Sequence, residues 1–313
     1  MERITTLMTA QTLLGNLNRQ LNTLQNTQLE LSSGKKINQP SDDPYGMSLS
    51  LELNSDLSAL TQNASNVTDG IAWAQASSTA LSDISNVVQR AYELLVEGAN
   101  GTNNASDLSA AADEVDQLID QVKQDADTQY NGQYIFSGGS GTAKQPYQSG
   151  ATDTYSGGAG PITREIGPGT YLQVNVDTSS ATAPAGGISS LLGTGQPGGD
   201  GLLLDTLRNI ADDMRSGNTA ALGSTDLTAL NCNFATLQQM QATVGASQDR
   251  LQLASTRIQD LQDSATQVLS NTQDADMATT EINFSMEQTA YEAALKVGAS
   301  IVQESLVDFL GNG

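Results

Sequence analysis

Apolar residues recur every seven positions along much of the chain, and that spacing defines its longest elements. Leu7, Leu14 and Leu21 form one row near the start, with Ala10, Leu17, Leu24 and Leu31 three positions further on. Two such rows on one helix make the narrow seam of a coiled coil. The helix is expected to stop at Ser32-Ser33-Gly34, because Gly34 can adopt the left-handed cap, and Lys35 and Lys36 follow where a helix dipole favours cations. After a loop to Pro40, Asp43 suits an N-cap and Pro44 the first helical position, where its missing N–H costs nothing.

From there the pattern predicts a long helix. Leu53, Leu60, Val67, Ala74, Leu81, Val88 and Leu95 keep one register, with Leu57, Ala64, Ile71 and Tyr92 on the adjoining row. Continuous helix from Leu53 to Leu95 would extend about 65 Å. A third helix is predicted from Leu108 through Val122, ending before the turn dipeptide Asn131-Gly132. Past the middle of the chain, Leu230, Leu237, Val244, Leu251, Ile258 and Ala265 mark a returning heptad supported by Met240, Ala254, Leu261 and Val268. Asn271 to Asp276 interrupts the stripe, which resumes at Phe284, Tyr291, Leu295, Ala299, Val302, Leu306 and Phe309.

The middle has a different composition. Between Ser137 and Gly201 lie 16 of the 29 glycines and 5 of the 7 prolines, which rules out a long unbroken helix. Leu172, Val174 and Val176 alternate with Tyr171, Gln173 and Asn175, as in a half-buried strand, and Gly167-Pro168-Gly169 separates them from Ile162, Arg164 and Ile166. A hairpin is the simplest reading. The Gly/Ser/Thr-rich stretches 137–141 and 193–201 read as flexible connections.

These readings give an α+β fold that is mainly α: a long antiparallel helical rod, coiled-coil-like, with a small β-rich insert. The expected divisions are an N-terminal assembly helix (1–40), two halves of the rod (41–136 and 202–272), the insert (137–201) and a C-terminal assembly helix (273–313). Helices with a narrow apolar stripe are marginal alone in water, so the terminal ones are expected to be mobile in a lone copy and ordered on assembly. The expected assembly interface is Leu7, Leu14, Leu17, Leu21, Leu24, Leu31, Tyr291, Leu295, Val302, Leu306 and Phe309, with Leu14, Leu17, Leu21 and Leu24 set against Leu295, Val302, Leu306 and Phe309.

Charge narrows the possible partners. With 13 Lys+Arg against 35 Asp+Glu the net charge is -22, which repels phosphate backbones and anionic lipid, so neither nucleic acid nor membrane is an expected partner. No run approaches membrane-spanning length. Histidine is absent, which removes every nucleophile arrangement that relies on an imidazole base. The lone Cys232, between Leu230 and Phe234, reads as a small packed side chain.

Three other features look chemical. Asp127-Thr128-Gln129-Tyr130-Asn131-Gly132 opens like a calcium loop but has Gln129 at the third position and Gly138 where a bidentate Glu belongs. The pairs Asp42-Asp43 and Asp212-Asp213 read as capping or solvated carboxylates. Asp153, Glu165, Asp177 and Asp200 are the insert's carboxylates, with no aromatic cleft to line a pocket for a glycan hydrolase, the remote alternative. No catalytic, cofactor-binding or metal site is assigned. The N-terminus has neither the apolar core nor the cleavage site of a secretory signal.

The run Leu31-Ser32-Ser33-Gly34-Lys35-Lys36-Ile37-Asn38-Gln39-Pro40-Ser41-Asp42-Asp43-Pro44 resembles the signature of the bacterial flagellin family, which includes filament subunits and hook-associated proteins. Lys36 stands where that family commonly has Arg. The layout of helical ends around a β-rich insert is similar over essentially the whole chain. Tyr134 to Gly138 and the ending Ser305 to Leu310 look most like the members at the hook-filament junction. The resemblance implies a structural adaptor, not an enzyme. It would stand on the first hook-associated protein, associate with its own copies in a junction ring and offer flagellin a surface on which the filament begins. It also implies export through the flagellar type III channel to the extracellular flagellum, with an export chaperone covering the C-terminal helix. A flagellin-type filament subunit is the alternative.

Overall fold

A computed structural model describes the backbone of residues 2–139, 141–150, 152–176, 187–195 and 199–311, and within them the side chains of residues 8 and 11–300. The chain divides into two compact units, one formed by Met1–Ala59 with Leu261–Gly313 and the other by Leu60–Asp260. The glycine-rich stretch lies inside the second unit.

The second unit holds the core. It takes most of α2 (Pro44–Ala99) and α7 (Leu227–Gln273), joined by α3 (Ala105–Ala126), the short α4 (Ser189–Leu192) and α5 (Leu203–Ser216). The heptad rows read from the sequence point inward here: Val67, Ala74, Leu81, Val88 and Leu95 of α2 are buried, as are Leu230, Leu237, Val244, Leu251 and Ile258 of α7. Tyr92 does not follow its row and is exposed. Two glutamines tie the helices, Gln241 donating to the Leu81 carbonyl at 3.1 Å and Gln248 to Gln75 Oε1 at 3.1 Å.

α5 has no counterpart among the predicted elements, although Leu203, Leu204, Leu207, Ile210, Ala211 and Met214 are all buried at helical spacing along it. It packs on α3, whose N-terminus is capped by the Asn104 side chain accepting from the Ser106 and Asp107 N–H groups. A short helix α6 (Thr219–Ala221) and a π-helical turn (Leu222–Asp226) lead from α5 into α7.

β1 (Gln129–Tyr130) and β2 (Gln133–Tyr134) pair antiparallel through Asn131 and Gly132, with φ of 50° and 74°. Positive φ at both turn residues suits the right-handed twist of the flanking strands, which is why Asn-Gly makes this turn. β3 (Thr163–Gly167) and β4 (Thr170–Gln173) form the hairpin predicted around Gly167-Pro168-Gly169. Leu172, Val174 and Val176 are buried as the alternation requires, whereas Tyr171 is exposed.

Far from standing apart, these strands share one core with the helices. Ile135, Phe136, Tyr147, Ile162, Leu172, Val174 and Val176 belong to the same apolar cluster as Trp73, Ile84, Ile119 and Leu207. Gly70 makes room for this: a Cβ there would lie 3.1 Å from Leu251 and 3.2 Å from Val174. Arg164 donates to Asp69 at 2.7 Å and sits 5.9 Å above the Trp73 ring.

The stretch 137–141, read from composition as a flexible connection, is packed instead. Gly138 and Gly139 donate to the Gly158 and Gly160 carbonyls at 3.2 and 2.9 Å, and a Cβ on Gly141 would collide with the Gly158 backbone. Its glycines serve close backbone approach.

The helical ends make up the first unit. α1 (Glu2–Ser33) lies along α8 (Met277–Gly311), joined by the first turns of α2 and the last turns of α7. Gly34 takes the left-handed cap with φ 71°, as expected, and donates to the Glu30 carbonyl at 2.8 Å.

Candidate functional site

The chain has no imidazole, and among the described residues no group of three Cys, Asp or Glu is placed for a metal. The acidic groups singled out in the sequence have local work. Asp127 accepts from the Tyr147 N–H at 3.0 Å and from Gln145 at 2.7 Å. Asp153 is held between Lys123 and Arg208; Lys123 is buried and also donates to the Gly150 and Thr152 carbonyls at 2.7 and 3.0 Å. These two cations hold the Asp153 carboxyl below its usual range against the desolvation that opposes them. Glu165 accepts from Gly169, and Asp200 from Thr194 and Leu202. Asp177 lies outside the described residues. Asp213 accepts from Asn218 at 3.0 Å, and Asp212 faces Arg215 at 3.8 Å. Cys232 is exposed, a correction to its reading as packed: Leu230 and Asn233 take the inward positions of that turn.

The signature run folds into a compact loop. Asp42 accepts from the Asn38 and Gln39 N–H groups at 3.1 and 2.8 Å, and Asp43 caps α2 by accepting from Tyr45 at 3.1 Å. Ile37 turns inward and is buried. The two lysines serve a different helix from the one they follow. Lys36 donates its ammonium to the Asn271 carbonyl at 2.9 Å and its N–H to the Gln273 carbonyl at 2.8 Å, so it closes the C-terminal end of α7 rather than α1. Ala275 donates to the Gly34 carbonyl at 2.9 Å, and Lys35 pairs with Asp274 in a single antiparallel bridge. Asp276 then caps α8, accepting from the Ala278 and Thr279 N–H groups and the Thr279 hydroxyl, contacts that hold its carboxyl below the usual range.

Beyond this loop the terminal helices meet along one seam each. On α1 the positions turned inward include 13, 17, 20, 24, 27 and 31, with 21 and 30 beside them; on α8 they are 280, 284, 287, 291, 294 and 298. Both alternate steps of four and three, as the coiled-coil reading requires. Leu17, Leu21, Leu24, Leu31 and Tyr291 of the expected interface are half-buried. Leu14 and Leu295 are not part of the seam: they are 59% and 44% exposed, and Leu13, one position before Leu14, fills the inward place. The side chains of Leu7, Val302, Leu306 and Phe309 lie outside the described residues.

Two contacts lie within the seam. Thr27, 7% exposed, donates its hydroxyl to Glu287 Oε2 at 2.7 Å. Gly298 lies against Leu13 and Leu17, and a Cβ there would come within 3.1 Å of Leu13 Cδ2. Glu30 nearby has its carboxyl pushed up by burial, with Glu287 and Asp42 adding repulsion.

What remains outside the seam is apolar to an unusual degree. Among the described residues of this unit, Ile37 is the one fully buried hydrophobic side chain, whereas Met8, Leu14, Leu29, Tyr45, Leu51, Leu261, Val268, Met277, Ile282, Met286, Leu295 and Val297 are exposed. Leu261 and Val268, read as support for the α7 seam, are among them. On α8, Ile282, Met286, Ala290, Ala293 and Val297 form a second apolar row, exposed throughout and about 120° around the helix from the row facing α1.

Residues 4–140 match the bacterial flagellin N-terminal helical region and residues 227–310 the bacterial flagellin C-terminal helical region. Flagellin 1 of Proteus mirabilis is 39% identical over 124 residues, 39% of this chain and 34% of that one. The flagellin of Escherichia coli K12 is 40% identical over 118 residues, 37% of this chain and 24% of that one. The matches therefore span about a third and about a quarter of the length of these two relatives. Among solved structures, a flagellar hook-associated protein from Vibrio parahaemolyticus shares the fold with a TM-score of 0.63 at 20% identity, over 74% of this chain and all of that one. Bacillus cereus FlgL does so with a TM-score of 0.56 at 19% identity, over 70% of this chain and 99% of that one. The flagellar junction protein FlgL of Legionella pneumophila gives 0.54 at 14%, over 72% of this chain and all of that one. With the flagellin regions matched at both ends in the order and positions of the two helical arms, this chain belongs to the flagellin family.

Proposed function

We propose that the chain is a structural adaptor of the extracellular bacterial flagellum, joining the hook, through the first hook-associated protein, to the flagellin filament. One observation carries the reading: among its described residues the unit built from the chain ends buries one large apolar side chain fully and exposes twelve, while the other unit buries a large apolar cluster. A surface so divided is stable in water only when neighbouring subunits cover it, and assembly then fixes the terminal pair in place. The solved relatives named for the hook and the junction support the adaptor over the filament subunit, since their likeness extends over most of this chain.

Covering the twelve exposed side chains needs partners on more than one side, which suits copies in a ring with the first hook-associated protein below and flagellin above. During export the same apolar rows of α8 would be held by a flagellar export chaperone. The test is growth of flagellin on preassembled hook-associated protein. The full chain should permit filament extension and should not form long fibres by itself. Chains lacking residues 1–40 or 275–313 should keep the second unit folded and support no extension. Long fibres from the pure chain would identify a filament subunit, and extension with either truncated chain would remove the adaptor reading.

A further inference from the structure

We propose that Leu253 of one copy seats in a groove between α2 and α7 of the next, with Arg250 and Arg257 set against Glu93 and Glu97, so that the second units of neighbouring copies associate head to tail. The groove holds about 340 Å³, and its apolar lining is Val88, Tyr92, Leu230 and Phe234. Tyr92 and Val96, one turn further along α2, are each 41% exposed. Glu93 lines the rim and Glu97 stands one turn beyond it. Arg90 does not neutralise this rim, because its single charge is shared between Glu93 and Glu114.

The complementary patch lies on α7 of the same unit. Leu253 is 71% exposed. Arg250 and Arg257, one heptad apart and both exposed, lie on one flank of it, and Asp249 and Asp260 lie toward the other. Of the six arginines in the second unit, Arg90, Arg164, Arg208 and Arg215 each hold a carboxylate, whereas Arg250 and Arg257 make no ion pair among the described residues. In a chain with 13 cationic side chains against 35 acidic ones, a guanidinium left without a carboxylate is open to one from outside. An exposed aliphatic side chain beside two arginines matches an aromatic-lined groove rimmed by glutamates, in hydrophobicity and in charge. The occupant is a second copy, because Leu253 and Phe234 lie about 30 Å apart along one continuous helix and cannot meet within a chain. Filling one copy's groove leaves its own Leu253 free for a third, a heterologous contact that propagates. Copies of like net charge repel at long range, so the contact is weak alone and strengthens where the chain ends hold copies side by side; in that respect it rests on the proposed function.

The experiment cross-links full-length chains carrying Cys232→Ser, both in concentrated solution and on preassembled hook-associated protein. One chain carries Gln89→Cys at the groove and another Thr256→Cys beside Leu253, both exposed positions. A short bismaleimide should join the two chains in a mixture and neither chain to itself, and a chain with both cysteines should give a ladder of multimers. Leu253→Ala on the Thr256→Cys chain should slow the joining about tenfold. Arg250→Glu with Arg257→Glu on that chain, or Glu93→Lys with Glu97→Lys on the groove chain, should each slow it about tenfold, and mixing the two charge-reversed chains should restore the native rate. Absence of the cross-link in both settings would overturn the proposal, as would equal rates in the native and singly reversed mixtures. Dimers from either single-cysteine chain alone, or a double-cysteine chain that stops at dimers, would overturn it by marking a symmetric contact. Filament extension by the native chain is read beside it. Extension without the cross-link removes this contact and keeps the adaptor; the cross-link without extension removes the adaptor and keeps the contact.

Discussion

Ile37 and Gly46 meet across the turn between the signature loop and α2 so closely that a Cβ at position 46 would lie 2.6 Å from Ile37 Cδ1 and 2.4 Å from Asp43 Oδ2. Gly46 thus accommodates the one hydrophobic side chain that the first unit buries fully among its described residues. A glycine inside a helix costs up to about 1 kcal/mol relative to alanine, so an exposed Gly46 would be improved by substitution. Here the overlap with Ile37 reverses the sign. Gly46→Ala should destabilise the first unit by a net ~1 kcal/mol, the overpacking cost of ~1–3 kcal/mol less the helix gain. Faster amide exchange in residues 37–50, with no change in the core helix turns around Leu81 and Leu237, would show it.

Lys36 is expected to act through geometry and charge at the end of α7, where its ammonium meets the Asn271 carbonyl. Lys36→Met should loosen the last turn of α7 and the Ala275–Gly34 link by about 0.5–1 kcal/mol, in line with cation and cap contributions at helix ends. Lys36→Arg, the residue common in the family, should be nearly neutral, since a guanidinium can reach the same carbonyl. Amide exchange at residues 271–276 distinguishes the two.

Lys123 joins the middle segment to α3. Its buried ammonium holds Asp153 and the Gly150 and Thr152 carbonyls together. Lys123→Met leaves the Thr152 carbonyl and part of a carboxylate without donors and the Gly150 carbonyl with Arg208 alone, and should cost about 2–4 kcal/mol in urea unfolding of the second unit. Asp153→Asn should cost about as much, because Lys123 and Arg208 would then be left without a counter-charge in a partly closed site. The two losses should be far from additive, since both remove the same contact.

Two carboxyls of the second unit set a pH dependence. Burial, followed by the Asp83 charge, raises the Asp125 pKa to about 6; burial, followed by the Asp213 charge and a hydrogen bond with it, raises that of Asp226 to about 6. One oxygen of each is buried without a hydrogen-bond partner. Because both folded values exceed the unfolded one near 3.8, their contribution to stability is complete below about pH 4 and is lost as pH rises through about 6. Thermal unfolding should therefore show a higher Tm at pH 5 than at pH 7. Asp125→Asn and Asp226→Asn should each raise the Tm at pH 7 and flatten the rise between pH 7 and 5; an unchanged slope in both would refute the assignment.

Local patterns along the chain specify the long helices, their inward rows in the second unit, the turns at Asn131-Gly132 and Gly167-Pro168-Gly169, and the caps at Gly34 and Asp43. Each of these is a local matter: a repeat over many turns, or a backbone angle that few residues tolerate, is written in adjacent positions. α5 was equally legible, since Leu203, Leu204, Leu207, Ile210, Ala211 and Met214 recur at helical spacing, but it is short and borders the glycine-rich stretch that drew attention to its composition instead. Which neighbour each face meets is set by packing between distant segments. Leu13 and Leu14 are adjacent and equally apolar, and only the presence of Gly298 opposite turns the first toward α8. Lys123 lies on a helix whose sequence gives no sign that three oxygens from residues 150–153 will close over it. The glycines of 137–141 look like slack in the chain until the backbone of 158–160 packs against them. Periodicity specifies a helix and a rough face; the phase of that face, and whether a polar group is buried, depend on atoms distant in sequence, whose arrival no local pattern records.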